Sequence, residues 1–187
     1  PFEVRWGVNP GKTLRLFETP RAKIGIAICY DSEFPLLVRA LAEAGAELIL
    51  IPSCTELVSG ANRIRTAALA RALENTCATV TSPTVGDAAW SPAVDRNAGT
   101  AGIYVPAEHG LSDTGALAEG TLNAPGWIYG QVDLAHLQRL RSTGEMRNTT
   151  DWSRQPGVTP LGPLVQHVEP PPEARGLPNA LIDVGTK

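Results

Sequence analysis

Histidine and cysteine are scarce in this chain, with three of each in 187 residues. The cysteines, Cys29, Cys54 and Cys77, are odd in number and widely spaced, with no Cys-x-x-Cys and no histidine pair beside them. That pattern excludes a disulfide framework and a zinc site, and no metal or other cofactor is expected. No apolar run approaches the roughly 18 residues of a membrane span. The first residues, PFEVRWGVNPG, lack both the basic start and the apolar stretch of a signal peptide. The expectation is a cytoplasmic protein that does not engage a membrane. Charge of one sign is also lacking: 16 Lys and Arg against 19 Asp and Glu give a net charge of -3. The basic residues are scattered, so the electrostatic footprint of a nucleic-acid partner is missing.

What remains is the composition of an ordinary globular domain, 43% hydrophobic and 19% charged, in a chain long enough for one substantial core. The run AKIGIAICY is short and nearly all apolar, which predicts a strand buried on both faces. SEFPLLVRALAEAG predicts a helix capped by Ser32, with Pro35 in its first turn and Gly45 at its stop. AELILIPS predicts a second buried strand, completing a βαβ unit with parallel strands. A longer helix over ANRIRTAALARALENT and a strand over CATVTSPTVG follow. Beyond Asp87 the pattern weakens: GTAGIYVPAEHG and GWIYGQVDL look like strands, and DLAHLQRLRST looks like a short helix capped by Asp133. Residues 156–187, dense in proline and glycine, read as an interface arm or a disordered tail.

Cys29 stands at the end of the first strand, where a parallel sheet opens into its ligand crevice. A thiol there is either packing or a nucleophile. The nucleophile reading draws on the nearby helix start, whose partial charge favours a thiolate, and on the Tyr30 amide as a donor to an oxyanion. Cys77 starts an apolar strand and reads as packing. Cys54, Thr55 and Glu56 follow the second strand end and are candidates to line a substrate pocket. His109, His136 and His167 lie in contexts that do not suggest a catalytic base, which leaves a carboxylate for that role. Glu33 reads equally as a capping or pairing residue and as a solvated first-turn acid, Arg71 and Glu74 pair to tie helix to sheet, and Trp90 and Trp127 are core or interface aromatics.

KIGIAICYDSEFP, followed by GAELILIPSCTE, GANRIRTAALARALENT and PTVG, resembles the carbon-nitrogen hydrolases of the nitrilase superfamily, in family order and spacing. The resemblance covers residues 1 to about 152, and YDSEFP is most similar to bacterial members of the amidohydrolase kind. It implies an α/β fold, a four-layer αββα sandwich that is N-terminally incomplete here. Residues 1–155 would be the C-terminal portion of that domain, and the missing part would leave apolar surface exposed. It also implies a cysteine nucleophile at Cys29 and an assisting glutamate at Glu3, within PFEVRW. The general-base glutamate and the lysine would lie upstream of Pro1, and neither Lys12 nor Lys23 stands in the right context. The implied reaction is hydrolysis of a small-molecule amide, or less favourably a nitrile, through a thioester, in a homodimer formed through helices. The alternative is a non-catalytic scaffold or interaction module in which the thiol is merely buried.

Overall fold

A computed structural model describes residues 7–155 and 165–169. Strand β1 (Leu14–Glu18) hairpins into β2 (Lys23–Ile26), and a 3-10 turn at Cys29–Glu33 leads into helix α1 (Pro35–Glu43). Strand β3 (Leu48–Ser53), helix α2 (Val58–Asn75) and strand β4 (Ala78–Pro83) follow. After the short hairpin β5 (Gly86–Asp87) and β6 (Arg96–Asn97) come β7 (Gly102–Tyr104), β8 (Ala116–Glu119), α3 (Leu134–Thr143), α4 (Asn148–Asp151) and β9 (Val165–Val168). One seven-stranded sheet runs in the order β8-β7-β4-β3-β2-β1-β9. Its centre is parallel, with Ile26 opposite Leu50 and Leu50 opposite Val80, so β2, β3 and β4 all end at the same rim.

The α/β class and the βαβ unit are as expected, with helices α1 and α2 packed on one face of the seven-stranded sheet. Alternation within each strand sorts the side chains. Ile49 and Ile51 face α1 and α2 and join Leu16, Val38, Leu41, Ile64, Ala68 and Tyr104 in one core. Leu48, Ala78, Val80, Ile103 and Leu137 form a second core on the opposite face. Gly25 is required where β2 meets α1, because a Cβ there would lie 2.8 Å from Ile49 Cδ1. The second face is only partly covered: Ile26 of β2 is 40% exposed, and Ile28, just past the strand, is 59% exposed.

Three expectations change. Helix α1 starts at Pro35 with Phe34, not Ser32, at its N-cap; Ser32 is fully buried in the preceding turn. GWIYGQVDL is not a strand. Gly130 brings the backbone so close to Ile103 that a Cβ would sit 2.9 Å from its Cδ1, and the segment packs Ile128 and Val132 across the sheet face instead of extending its edge. The strand lies earlier, at β8. Within the proline-rich tail, Val165–Val168 pair in parallel with β1 at the sheet edge, and residues 156–164 and 170–187 fall outside those described. Asp133 does cap α3, its Oδ1 accepting the His136 amide at 2.8 Å.

Burial fixes an alkaline limit on this core. Cys77 is fully buried beneath α2, and desolvation pushes its thiol from 9.0 up to about 12. Tyr104, raised chiefly by burial and then by its bond to Glu119, also lies at about 12 against an ordinary 10.0. The unfolded chain loses these protons first, so stability falls as pH rises from about 9 towards 12, by at most about 1.4 kcal/mol per pH unit for each group. Denaturant titrations of Cys77→Ala from pH 8 upward should show a shallower decline than the parent chain between pH 9 and 10; an unchanged slope contradicts this account.

Candidate active site

The site grows from the common rim of β2, β3 and β4. After Ile26 the ladder makes one more rung, the Ala27 amide donating to the Leu50 carbonyl at 3.0 Å. The backbone then turns at Cys29, whose φ of 48° is the left-handed region. A residue with a Cβ loses roughly 1–2 kcal/mol there. Such a conformation persists only where surrounding bonds hold it, and it gathers at functional sites.

Several bonds hold it here. The Ser32 hydroxyl donates to the Cys29 carbonyl at 2.7 Å, and Asp31 Oδ2 accepts the Ile28 amide at 3.1 Å. Asp31 also donates its own amide to the Ile28 carbonyl at 2.9 Å. From α2, buried Arg71 donates from Nη1 to the Ser32 carbonyl at 3.4 Å while its Nε faces Glu74 Oε2 at 3.1 Å. The Arg71–Glu74 pair therefore ties the helix to the Cys29–Glu33 turn, a more specific attachment than the helix-to-sheet tie expected. Asp31 and Ser32 were not assigned this role from the sequence. The signal for Asp31 was its place two residues after the cysteine, where a carboxylate reaches back to a turn amide. Ser32→Ala should destabilise the fold by about 1 kcal/mol, the net worth of one buried hydrogen bond, as a shift in the urea midpoint; no shift would mean that this bond does not hold the turn.

The Cys29 thiol is half-buried and donates to the Cys54 carbonyl at 3.5 Å. Cys54 is exposed, and its thiol meets Asn97 Oδ1 at 3.0 Å. Asn97 in turn donates to the carbonyls of Gly86 (3.1 Å) and Val94 (2.8 Å), so the β5–β6 hairpin is fastened to the exit of β3. Thr55 belongs to the same clasp, its hydroxyl on the Ala98 carbonyl at 2.5 Å. Glu56 is exposed on the following loop. Tyr30 directly follows Cys29 and is 60% exposed, its ring edge-on to Phe34 at 4.8 Å. The start beside Cys29 is a five-residue 3-10 turn, not the α-helix anticipated.

Glu33 pairs with Arg63 at 3.1 Å. Glu3 lies outside the described residues. A cleft of about 710 Å³ opens on the other side of the turn, lined by Lys12, Arg15, Ile28, Asp31 and Leu37 among others. Cys29 is not part of its lining; the thiol is directed to Cys54 instead. The histidines are engaged elsewhere. His167 meets Glu18 at 2.8 Å on the β9–β1 edge, His136 stands beside Arg139 on α3, and His109 is exposed in a loop. Among the described residues no three His, Cys, Asp or Glu side chains gather to hold a metal ion, and no helix is long and apolar enough to cross a membrane. Trp90 is 86% and Trp127 37% exposed, so neither is a core residue.

These elements build an α/β sheet with a cysteine held in a strained turn at its parallel rim. Residues 3–142 match the carbon-nitrogen hydrolase family, and the chain belongs to it. It is 39% identical over 149 residues to a probable hydrolase, YhcX, of Bacillus subtilis, covering 80% of this chain and 29% of that protein. It is 33% identical to the deaminated glutathione amidase of Mus musculus, covering 71% of this chain and 38% of the other. An omega-amidase of Danio rerio is 29% identical, with 79% and 51% covered. The chain thus spans about half or less of the length of these curated relatives. Among solved structures, a carbon-nitrogen hydrolase from Helicobacter pylori G27 superposes with a TM-score of 0.59 at 19% identity, over 73% of this chain and 49% of the other. A nitrilase-superfamily amidase from Nesterenkonia AN1 gives a TM-score of 0.52 at 25% identity, over 72% and 47%.

Proposed function

We propose that the full-length protein hydrolyses the amide bond of a small molecule through a thioester on Cys29. The observation that carries this reading is the left-handed Cys29 at the parallel rim, braced by Ser32 and Arg71. The amidases among its relatives favour an amide over a nitrile.

In the proposed reaction the thiolate sulfur attacks the carbonyl carbon and the electron pair moves to oxygen. The Tyr30 amide serves as a donor to that oxygen. Collapse of the adduct breaks the carbon–nitrogen bond, and ammonia or an amine leaves with a proton. Water then attacks the thioester, releasing the carboxylic acid and restoring the thiol. Glu3 is assigned an assisting role, and the base and a lysine are assigned to a segment preceding Pro1. Cys54, Thr55 and Glu56, at the exit of β3, form the proposed substrate wall. A cytoplasmic homodimer completes the proposal, with Leu36 of α1 and Leu73 of α2, 54% and 42% exposed, as apolar contacts for helix pairing.

The test is the order in which the three thiols react with iodoacetamide in the folded chain. Cys29, though only half-exposed, should label faster than exposed Cys54, and buried Cys77 slowest. Labelling ranked by exposure alone, with Cys54 first, would favour the scaffold reading instead.

A further inference from the structure

The two thiols at the rim have a second use. Cys29 and Cys54 follow the ends of adjacent parallel strands, which run about 4.8 Å apart, and the Cys29 sulfur already lies 3.5 Å from the Cys54 carbonyl oxygen. Disulfides need Cα atoms roughly 4.4–6.8 Å apart, a spacing that neighbouring strand ends supply. The Cys54 thiol is exposed and, among the described residues, bonds to Asn97 Oδ1 at 3.0 Å. A bridge to Cys29 would require the Cys54 thiol to give up that contact. Cys77, by contrast, is sealed beneath α2 with its thiol on the Arg71 carbonyl.

We propose that Cys29 and Cys54 form a reversible disulfide when the protein meets hydrogen peroxide, making the pair an oxidation site that shields the nucleophile. The proposal rests on Cys29 being the reactive thiol. The Cys29 thiolate attacks one peroxide oxygen, the O–O bond breaks, and the hydroxide released takes up a proton to leave as water. Cys29 is then a sulfenic acid. The Cys54 sulfur, giving up its proton, attacks that sulfur; the S–O bond breaks and a second water leaves. Two thiols are thereby oxidised and one peroxide is reduced to two waters. A cysteine without such a neighbour proceeds to sulfinic acid, which thiols do not reverse. Cys54 therefore stops the oxidation at a stage that a dithiol reductant restores.

The experiment treats the 187-residue chain with a few equivalents of hydrogen peroxide, blocks free thiols, and maps tryptic peptides without reduction. Cleavage after Lys23, Arg39 and Arg63 puts Cys29 in residues 24–39 and Cys54 in residues 40–63, with Cys77 apart in residues 72–96. The expected result is a linked 24–39/40–63 species, from monomeric protein, that dithiothreitol removes. In Cys54→Ser, with its fold checked by circular dichroism, the link is lost and Cys29 accumulates as sulfinic acid; in Cys77→Ala the link persists. Sulfinic Cys29 beside a free Cys54 thiol in the unmutated chain would overturn the disulfide while leaving Cys29 as the reactive thiol. A link found only between chains would overturn it equally. A Cys29 that resists peroxide altogether would remove both this inference and the catalytic reading beneath it.

Discussion

Replacing Cys29 with alanine in the full-length protein should lower amide turnover on the order of 10⁴-fold or more, because no other group at the rim replaces the sulfur as the atom that bonds to the carbonyl carbon. The fold should survive, since the thiol contributes one long bond to the Cys54 carbonyl and partial burial. A second substitution separates strain from chemistry. Alanine keeps the penalty of the left-handed backbone at φ 48°, whereas glycine does not. Cys29→Gly should therefore be more stable than Cys29→Ala by about 1 kcal/mol in urea unfolding while being equally inactive. Retained turnover in either variant would remove Cys29 from the mechanism, and equal stabilities would mean that the turn is not strained.

Arg71→Ala should be the most damaging substitution among the charged residues, costing about 2–4 kcal/mol. Its side chain is 8% exposed and joins Glu74 to the Ser32 carbonyl. Truncation leaves a void beneath α2, takes a bond from the Cys29–Glu33 turn and strips Glu74 of its cation. Glu74→Gln should cost far less, because that side chain is 31% exposed and water replaces part of what is lost. Paired urea titrations give the comparison, and iodoacetamide labelling reads the site. Arg71→Ala should slow alkylation of Cys29 under conditions where the variant is still folded. Equal costs for the two variants would show that Arg71 contributes only a surface ion pair.

The apolar strands β2, β3 and β4 and helix α2 were legible because their signals are local: continuous apolar runs, alanine and leucine at helical spacing, and Gly45 just past the end of α1. The family was legible from CYDSEFP and the segments after it. The turn at Cys29 was less so, and the reason is Pro35. Its ring disfavours helical backbone in the residue before it, so Phe34 is extended at φ -98° and ψ 107°. That break detaches Ser32 from α1 and puts it in a separate 3-10 turn, where its hydroxyl reaches back to Cys29 instead of capping the helix. The partnership of Cys54 with Asn97, 43 positions apart, depends on where the β5–β6 hairpin lands, and no local pattern announces that. The same holds for Gly130, whose close approach to Ile103 turned an apparent strand into a crossing segment.

The claim beneath all of this is that the carbonyl carbon of the substrate becomes bonded to the sulfur of residue 29. The most direct measurement is an acid quench of the full-length protein during turnover of a slow amide substrate, followed by peptide mass spectrometry. The account predicts the acyl group on the 24–39 peptide, lost on treatment with hydroxylamine and absent from Cys29→Ala. Turnover that leaves that peptide unmodified while an acyl group builds up on Cys54, or on no cysteine, would contradict it.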